Sequence, residues 1–413
     1  MAVRRRTART RGRTAAGLLA AAALLAPALL SGCTGDRSGS TGATTAAEVG
    51  RLLDTRAAAV LDGDEPAYLA ALDPGARELR ERERREFRRL ARIPLGSWEY
   101  HLGTVERRGR TGAVADAELR YRLDGHDAGP VTVDRRLELT LRPGGWRIIG
   151  DRPAEGAAEQ LWQQGDVRVV RGTHSLVLGV GQTGERLRAI AATADRSVPE
   201  VSRTWPSPWA RKVVVLVPGS LDDMGALLGA PAAGYRGIAA VTTGATGATG
   251  PVPADRIIVN PAAYGALGDF GKRIVLTHEA THVATRAHTA ATTPMWLSEG
   301  YADWVAYRGS GRTAARIAPE LRRAVHAGDL PATLPGDADF SFTGDADALA
   351  RAYEGGWLAC ELIAERWGAG KLTELYRTAG RTPLPEALSR VLATTPTALT
   401  TAWRTYLTGR LTP

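Results

Sequence analysis

The 413-residue chain is poor in cysteine, lysine and histidine. Its two cysteines, Cys33 and Cys360, cannot build a disulfide framework, so apolar cores must hold the fold. Cys360 lies in the apolar stretch 357–363 and is expected to be a small buried hydrophobe. Only three lysines accompany abundant Arg, Ala and Gly, a bias of GC-rich bacterial genomes of the actinobacterial kind. The net charge of +9 is also less than it looks, because six arginines fall within the first 13 residues. Setting them aside leaves about +3, which is no argument for nucleic acid, and no nucleic-acid partner is expected. The Gly-Ala-Thr repeat of residues 244–250 is far too short for a collagen-like segment and reads as a flap or linker.

Arg4, Arg5, Arg6, Arg9, Arg11 and Arg13 precede an apolar run, Ala15–Leu30, and then Leu30-Ser31-Gly32-Cys33. A basic region, a short apolar core and small residues before a cut are the pattern of a secretory signal. The run is short for a membrane-spanning helix, although an uncleaved anchor is the alternative. Leu-Ser-Gly-Cys resembles a bacterial lipobox. That resemblance implies cleavage before Cys33, a diacylglyceryl group on Cys33, and a body held on the extracytoplasmic face of the cell membrane.

With seven histidines in the chain, the run His278-Glu279-Ala280-Thr281-His282 stands out. Composition alone would produce H-E-x-x-H in roughly 1% of such chains. On a helix, residues four apart are separated by about 6 Å of rise and about 40° of rotation. His278 and His282 can therefore meet one Zn²⁺, while the Glu279 carboxylate can take a proton from water on the metal. A catalytic zinc usually has three protein ligands and one open position. Downstream, Pro294 suits the first turn of a second helix, and Glu299 near its start could reach the metal if that helix crosses the first. Asp303, four residues on, can accept the remaining ring N–H of a ligating histidine.

HEATH followed by WLSEGYADWVA resembles the gluzincin metallopeptidases, the group of thermolysin and the zinc aminopeptidases. The resemblance covers roughly residues 165–410 and implies one catalytic Zn²⁺ on His278, His282 and Glu299, Glu279 as general base, and Asp303 behind the ligands. Ala352-Tyr353-Glu354-Gly355-Gly356 is similar to the aminopeptidases' Y-E-K-G segment, which implies an oxyanion-stabilising hydroxyl on Tyr353. Gly355 replaces that segment's lysine, and the G-A-M-E-N segment is absent, so aminopeptidase specificity is not carried over. A metzincin-like alternative would use His288 as third ligand. It needs a helix break where this chain has the β-branched Thr285, and it leaves Glu299 and Asp303 unexplained. His288 is instead expected at the surface near the helix end, where a cation is welcome.

The predicted fold class is α+β. Residues 34–46, rich in Ser, Thr and Gly, read as a flexible tether. Residues 47–153 show helical patterns, including an Arg/Glu-alternating stretch at 77–92 read as a solvated face. Strand-like runs follow at 97–105, 114–123, 131–141 and 146–149. This order resembles an NTF2-like α+β cone, with no catalytic constellation of its own. A polar linker is expected at 154–166. From 167 to 410 the reading is a gluzincin-like domain, with a small mixed sheet, a motif helix starting near 262–267 and a mostly helical remainder broken by a loop at 331–347. The strand at 238–242 or 257–260 is expected to line a cleft. The function expected is that of a membrane-anchored zinc metallopeptidase acting on a peptide or protein. The alternative is a non-catalytic, zinc-containing envelope lipoprotein that binds a partner.

Overall fold

The computed structural model describes residues 2–6, which form strand β1 (Ala2–Arg6), together with 37–245, 250–342 and 345–412. Cys33 and most of the expected leader lie outside the described residues. In the first domain, Val49, Leu53, Ala57 and Val60 recur at helical spacing and are buried by helix α1 (Arg37–Asp62). Residues 37–46, expected within the tether, are therefore helical. The helix runs further back because Thr45 is itself buried and accepts a hydrogen bond from Arg107. Helices α2 (Glu65–Ala70) and α3 (Arg77–Leu90) follow. The Arg/Glu stretch is not a wholly solvated face, since Leu79, Glu83, Phe87 and Leu90 of α3 are buried.

Four strands complete this domain as an antiparallel meander: β2 (Leu95–Arg108), β3 (Gly112–Leu123), β4 (Val131–Arg142) and β5 (Gly145–Pro153). Their registers slip in β2 at Leu95/Ser97 and Leu102/Val105, and in β5 at Ile149, opposite Glu138/Leu139 of β4. Such irregularities bend strands and raise the local twist, which lets the sheet wrap around α1.

The second domain is built on a six-stranded mixed sheet in the order β1-β9-β10-β8-β7-β6. Its strands are β6 (Val167–Arg171), β7 (Ser175–Val180), β8 (Val213–Val217), β9 (Ala240–Ala245) and β10 (Arg256–Val259). β8 pairs parallel with both β7 and β10, whereas β9 pairs antiparallel with β10 and parallel with β1. β7 is buried at every position, and its alternation divides two cores. Val177 joins the helical core, while Leu176 and Leu178 join a core continuous with the first domain.

The segment expected as a polar linker is pinned in that second core. Leu161 and Trp162 of α4 (Leu161–Gln164) are buried, and Trp162 packs against Trp98 and Tyr121. Arg256 adds a bidentate ion pair to Asp127 at 2.8 Å, which ties the two domains together. At Gly129 a Cβ would lie 2.2 Å from the Pro251 carbonyl oxygen, so the two backbones meet directly there.

On the sheet's other face lie α5 (Gly184–Thr204) and, after α6 (Leu221–Leu228) and a short α7 (Pro261–Gly265), the motif helix α8 (Asp269–Thr285). The motif helix thus starts later than expected, because the chain breaks at residues 266–268 between α7 and α8. Of the two strands expected near the motif helix, that at 238–242 is observed as Ala240–Ala245, after a turn at 236–237, and that at 257–260 as Arg256–Val259. Helix α9 (Met295–Tyr307) then crosses α8. Next come α10 (Ala314–Ile317), α11 (Pro319–His326), α12 (Ala346–Trp367), α13 (Ala369–Ala379), α14 (Leu384–Leu392) and α15 (Pro396–Leu411). Cys360 is a fully buried member of that helical core, as its apolar setting suggested. Among the described residues no helix is long and apolar enough to cross a membrane.

Candidate metal site

Between Ile274 and Thr285 only Val283 of α8 is not fully buried, because β9, α5 and α9 cover the helix from three sides. Small and hydroxyl side chains make this fit possible. Thr277, for example, exchanges a hydrogen bond of 2.9 Å with Ser197 of α5. α9 is buried throughout from Trp296 to Ala306. Its depth depends on a pair of glycines: a Cβ on Gly300 would stand 2.1 Å from the carbonyl oxygen of Gly356 in α12. The two helices therefore touch backbone to backbone. That contact sets Glu299 against α8 and places Tyr353, one turn before Gly356, over the same site.

The expected ligands converge. His278 Nε2 lies 2.9 Å from His282 Nε2, and Glu299 Oε2 lies 3.2 Å and 3.4 Å from those two nitrogens. All three residues are buried. Donors placed tetrahedrally around zinc at about 2.0–2.1 Å stand roughly 3.3 Å apart, so this triangle has the dimensions of one cation's coordination face. Asp303 Oδ1 lies 2.8 Å from His278 Nδ1. An ionised carboxylate can only accept, so Nδ1 carries the proton and the Nε2 lone pair is directed at the triangle. Among the described residues no other group of His, Cys, Asp and Glu is arranged this way.

The hydrogen-bond accounting points the same way. Among the described residues, Glu299 Oε1, Glu279 Oε1 and the Tyr353 hydroxyl are all buried and make no close hydrogen bond, although Tyr353 and Glu299 are neighbours. Stranding one polar atom costs about 1–3 kcal/mol, and three at one spot call for a ligand. Glu279 Oε2 is held by the Thr242 hydroxyl of β9 at 2.7 Å, which leaves Oε1 free. Glu279, Glu299 and Asp303 gather three carboxylates with no Arg or Lys bonded to them among the described residues. The donor set, two imidazoles and a carboxylate around an acidic centre, fits Zn²⁺.

Without a cation, the histidine takes up the compensating charge. Burial opposes protonation of His278, but Asp303, Glu299 and Glu279 outweigh it and push its pKa up to about 10. Burial likewise works against ionisation of Glu299, yet His282 and His278 hold its carboxyl well below the usual range. Burial and the charges of Glu299, Asp303 and Glu279 raise the Tyr353 phenol well above its ordinary value, so it is a neutral O–H donor. Its ring centre is 6.4 Å from that of His278 and packs edge-on against Phe340.

His288 is not part of the site, and it is not the surface cation expected. It lies in a 3-10 extension of α8, half-buried, with its ring 5.4 Å from that of Trp205. Burial and the nearby Arg377 and Arg381 lower its pKa, so the ring is neutral. Cys33 lies outside the described residues.

Three features escaped the sequence reading. The Thr242–Glu279 contact was invisible because 37 residues separate its partners. The Gly300–Gly356 contact had a faint signal in the adjacent Gly355-Gly356. The third is Asp255, ion-paired to Arg286 at 2.7 Å and so close to β9 that a Cβ on Gly244 would stand 1.6 Å from Asp255 Oδ1. A cavity of about 760 Å³ also lies between the domains, lined by Tyr121, Trp162, Leu216, Thr243 and Ile258. It is bounded by the sheet face opposite to the one Thr242 turns toward α8.

The chain matches no described protein family and no curated protein. Among solved structures it is similar to an M1 zinc metallopeptidase from Deinococcus radiodurans, determined as a mutant bound to a Tyr-Ser-Ala substrate. The identity is 13% and the TM-score 0.31, over 76% of this chain and 94% of that one. A likeness this slight carries no weight for function.

Proposed function

We propose that this protein is a zinc metallopeptidase of the gluzincin kind, anchored through a lipid on Cys33 at the extracytoplasmic face of the membrane, with an NTF2-like first domain. The reading is carried by the site's geometry: three donor atoms 2.9–3.4 Å apart beside two buried carboxylate oxygens, Glu279 Oε1 and Glu299 Oε1, that accept no hydrogen bond from the described residues.

His278, His282 and Glu299 would hold the Zn²⁺, which when bound supplies a Lewis acid for a carbonyl oxygen and makes water more acidic. The remaining work belongs to the chain. Asp303 fixes the His278 tautomer and ring orientation. Glu279, anchored through Oε2 to Thr242, accepts the proton of the attacking water on Oε1 and delivers it to the leaving amine. Tyr353, a neutral donor with an unspent O–H, hydrogen-bonds the carbonyl oxygen as it gains charge. The edge of β9 runs beside Glu279, and an extended peptide could add there as a further strand. Ala2–Arg6 pairs with that edge here, and removal of the leader would free it.

The test is elemental analysis for zinc together with a peptide-library digest, with and without a chelator. Zinc at one equivalent and chelator-sensitive cleavage are expected. A chain that binds no zinc overturns the site, whereas full zinc without cleavage favours the non-catalytic lipoprotein.

A further inference from the structure

The first domain has two unlike ends. Its β3 strand has 12 residues, about 40 Å of extended chain, and among the described residues the second domain docks at the end where β3 finishes. There Asp127 meets Arg256, and the Gly129 N–H donates to the Val252 carbonyl. At the opposite end lie two hairpin turns, residues 109–111 between β2 and β3 and residues 143–144 between β4 and β5. Five arginines gather around these turns: Arg107, Arg108, Arg110, Arg142 and Arg147. All but the half-buried Arg147 are exposed.

The acids at this end do not balance them. Glu106 pairs with Arg108 at 2.8 Å and Asp73 with Arg142 at 2.6 Å, while Glu48 accepts from the Trp146 indole. The other three arginines have no carboxylate partner among the described residues. Arg107 stacks on Trp146 at 5.1 Å and bonds Thr45 and the Arg110 carbonyl, while Arg147 bonds the Trp146 carbonyl. These contacts hold the guanidinium groups in place without neutralising them.

The chain's amino-terminal segment enters at this same end. Thr45 and Glu48 of α1 bond Arg107 and Trp146, and α1 begins eight residues earlier, about 12 Å further out. Cys33 is four residues before Arg37, a reach of at most about 14 Å. Once the leader is removed, a chain beginning at Cys33 would therefore be tethered within that reach of the start of α1, on the side of the arginine-bearing turns.

We infer that the hairpin end of the first domain is a headgroup-binding face, which rests on anionic phospholipid and holds the second domain on its far side. Guanidinium groups suit phosphate oxygens, and each exposed arginine adds roughly fivefold to partition onto an anionic surface. The inference uses the Cys33 reading only to locate the membrane.

Vesicle sedimentation of the mature chain from Thr34, which carries no lipid, tests it directly. Vesicles of phosphatidylglycerol mixed into phosphatidylcholine should bind it, pure phosphatidylcholine should not, and added salt should release it. Arg108→Glu with Arg110→Glu should lower the partition coefficient at least twentyfold while zinc content and melting stay unchanged. The same change of charge on α3 and just past its end, Arg85→Glu with Arg92→Glu, should have little effect. Binding that ignores lipid charge, equal losses in the two double variants, or no binding at all would each overturn the inference. Whether Cys33 is acylated is read separately, by mass on the protein made in cells, so the two readings fail independently.

Discussion

Each domain buries a cluster of charges, and the two clusters differ in what they leave over. In the first, Arg56 donates to Asp151 at 2.8 Å, to Tyr68 and to Glu83, and Arg135 takes the other Asp151 oxygen. Both oxygens of Glu83 and both of Asp151 have partners, and the Arg56 Nε is left over. In the second, His278, His282, Glu299 and Asp303 bond one another, yet Glu279 Oε1, Glu299 Oε1 and the Tyr353 hydroxyl remain unpaired. The first cluster contains its own countercharges, because arginine cannot lose its proton and so remains a fixed partner. The second lacks a fixed cation and answers only by protonating His278. Buried charge alone does not mark a functional site; charge whose accounting closes only with something added does.

The sharpest way to break this contrast is to change single residues in each cluster. Glu279→Gln keeps the shape and removes the proton acceptor. Hydrolysis should fall by about 10³-fold or more with zinc content unchanged, and undiminished turnover would falsify the assigned base. His282→Ala should lose zinc by elemental analysis and activity with it, since two donors remain of three. Arg56→Ala should act on the fold instead. Removing the fully buried cation that Asp151 and Glu83 share should cost about 3–5 kcal/mol, read as a lower melting temperature, with zinc still bound in the folded fraction. If Arg56→Ala abolished zinc binding in folded protein, the two clusters would not be independent.

Smaller effects sharpen the comparison further. Tyr353→Phe should lower kcat about 10²-fold with melting little changed, because the hydroxyl makes no close hydrogen bond among the described residues. A tyrosine that only packs would leave kcat untouched. The pH response should also separate metal-free from loaded protein. His278 has a folded pKa near 10, above its unfolded value of about 6.5, so its protonated form stabilises the metal-free chain fully below about pH 6.5. That contribution is lost as pH rises toward 10, and the melting temperature of chelated protein should fall over this window. Zinc-loaded protein, in which the proton has already been displaced, should not follow. Apparent zinc affinity should rise with pH over the same range, by up to about tenfold per unit.

Much of the second cluster was legible in the linear chain. Residues four apart on a helix share a face wherever the helix sits, so His278 and His282 were determined locally. Asp303 follows Glu299 by the same rule. That Glu299 would reach the histidines needed a crossing of α8 and α9, for which spacing supplies only permission. The first domain's cluster was not legible at all. Arg56, Glu83, Arg135 and Asp151 come from four separate elements, and the alternating charges of α3 gave no sign that Glu83 alone would turn inward.

The sequence by itself determined whatever depends on neighbours within a turn or two. It set the paired imidazoles, the carboxylate beside them, the strand-like alternation of the first domain and the lack of a disulfide framework. Only the tertiary structure decided how near α9 comes to α8, through two glycines 56 residues apart that let backbones meet. It also decided which carboxylate oxygens would find partners. The reason is physical: helical periodicity is set by bonds along the chain, whereas the pairing of a buried charge depends on which distant segment packs against it.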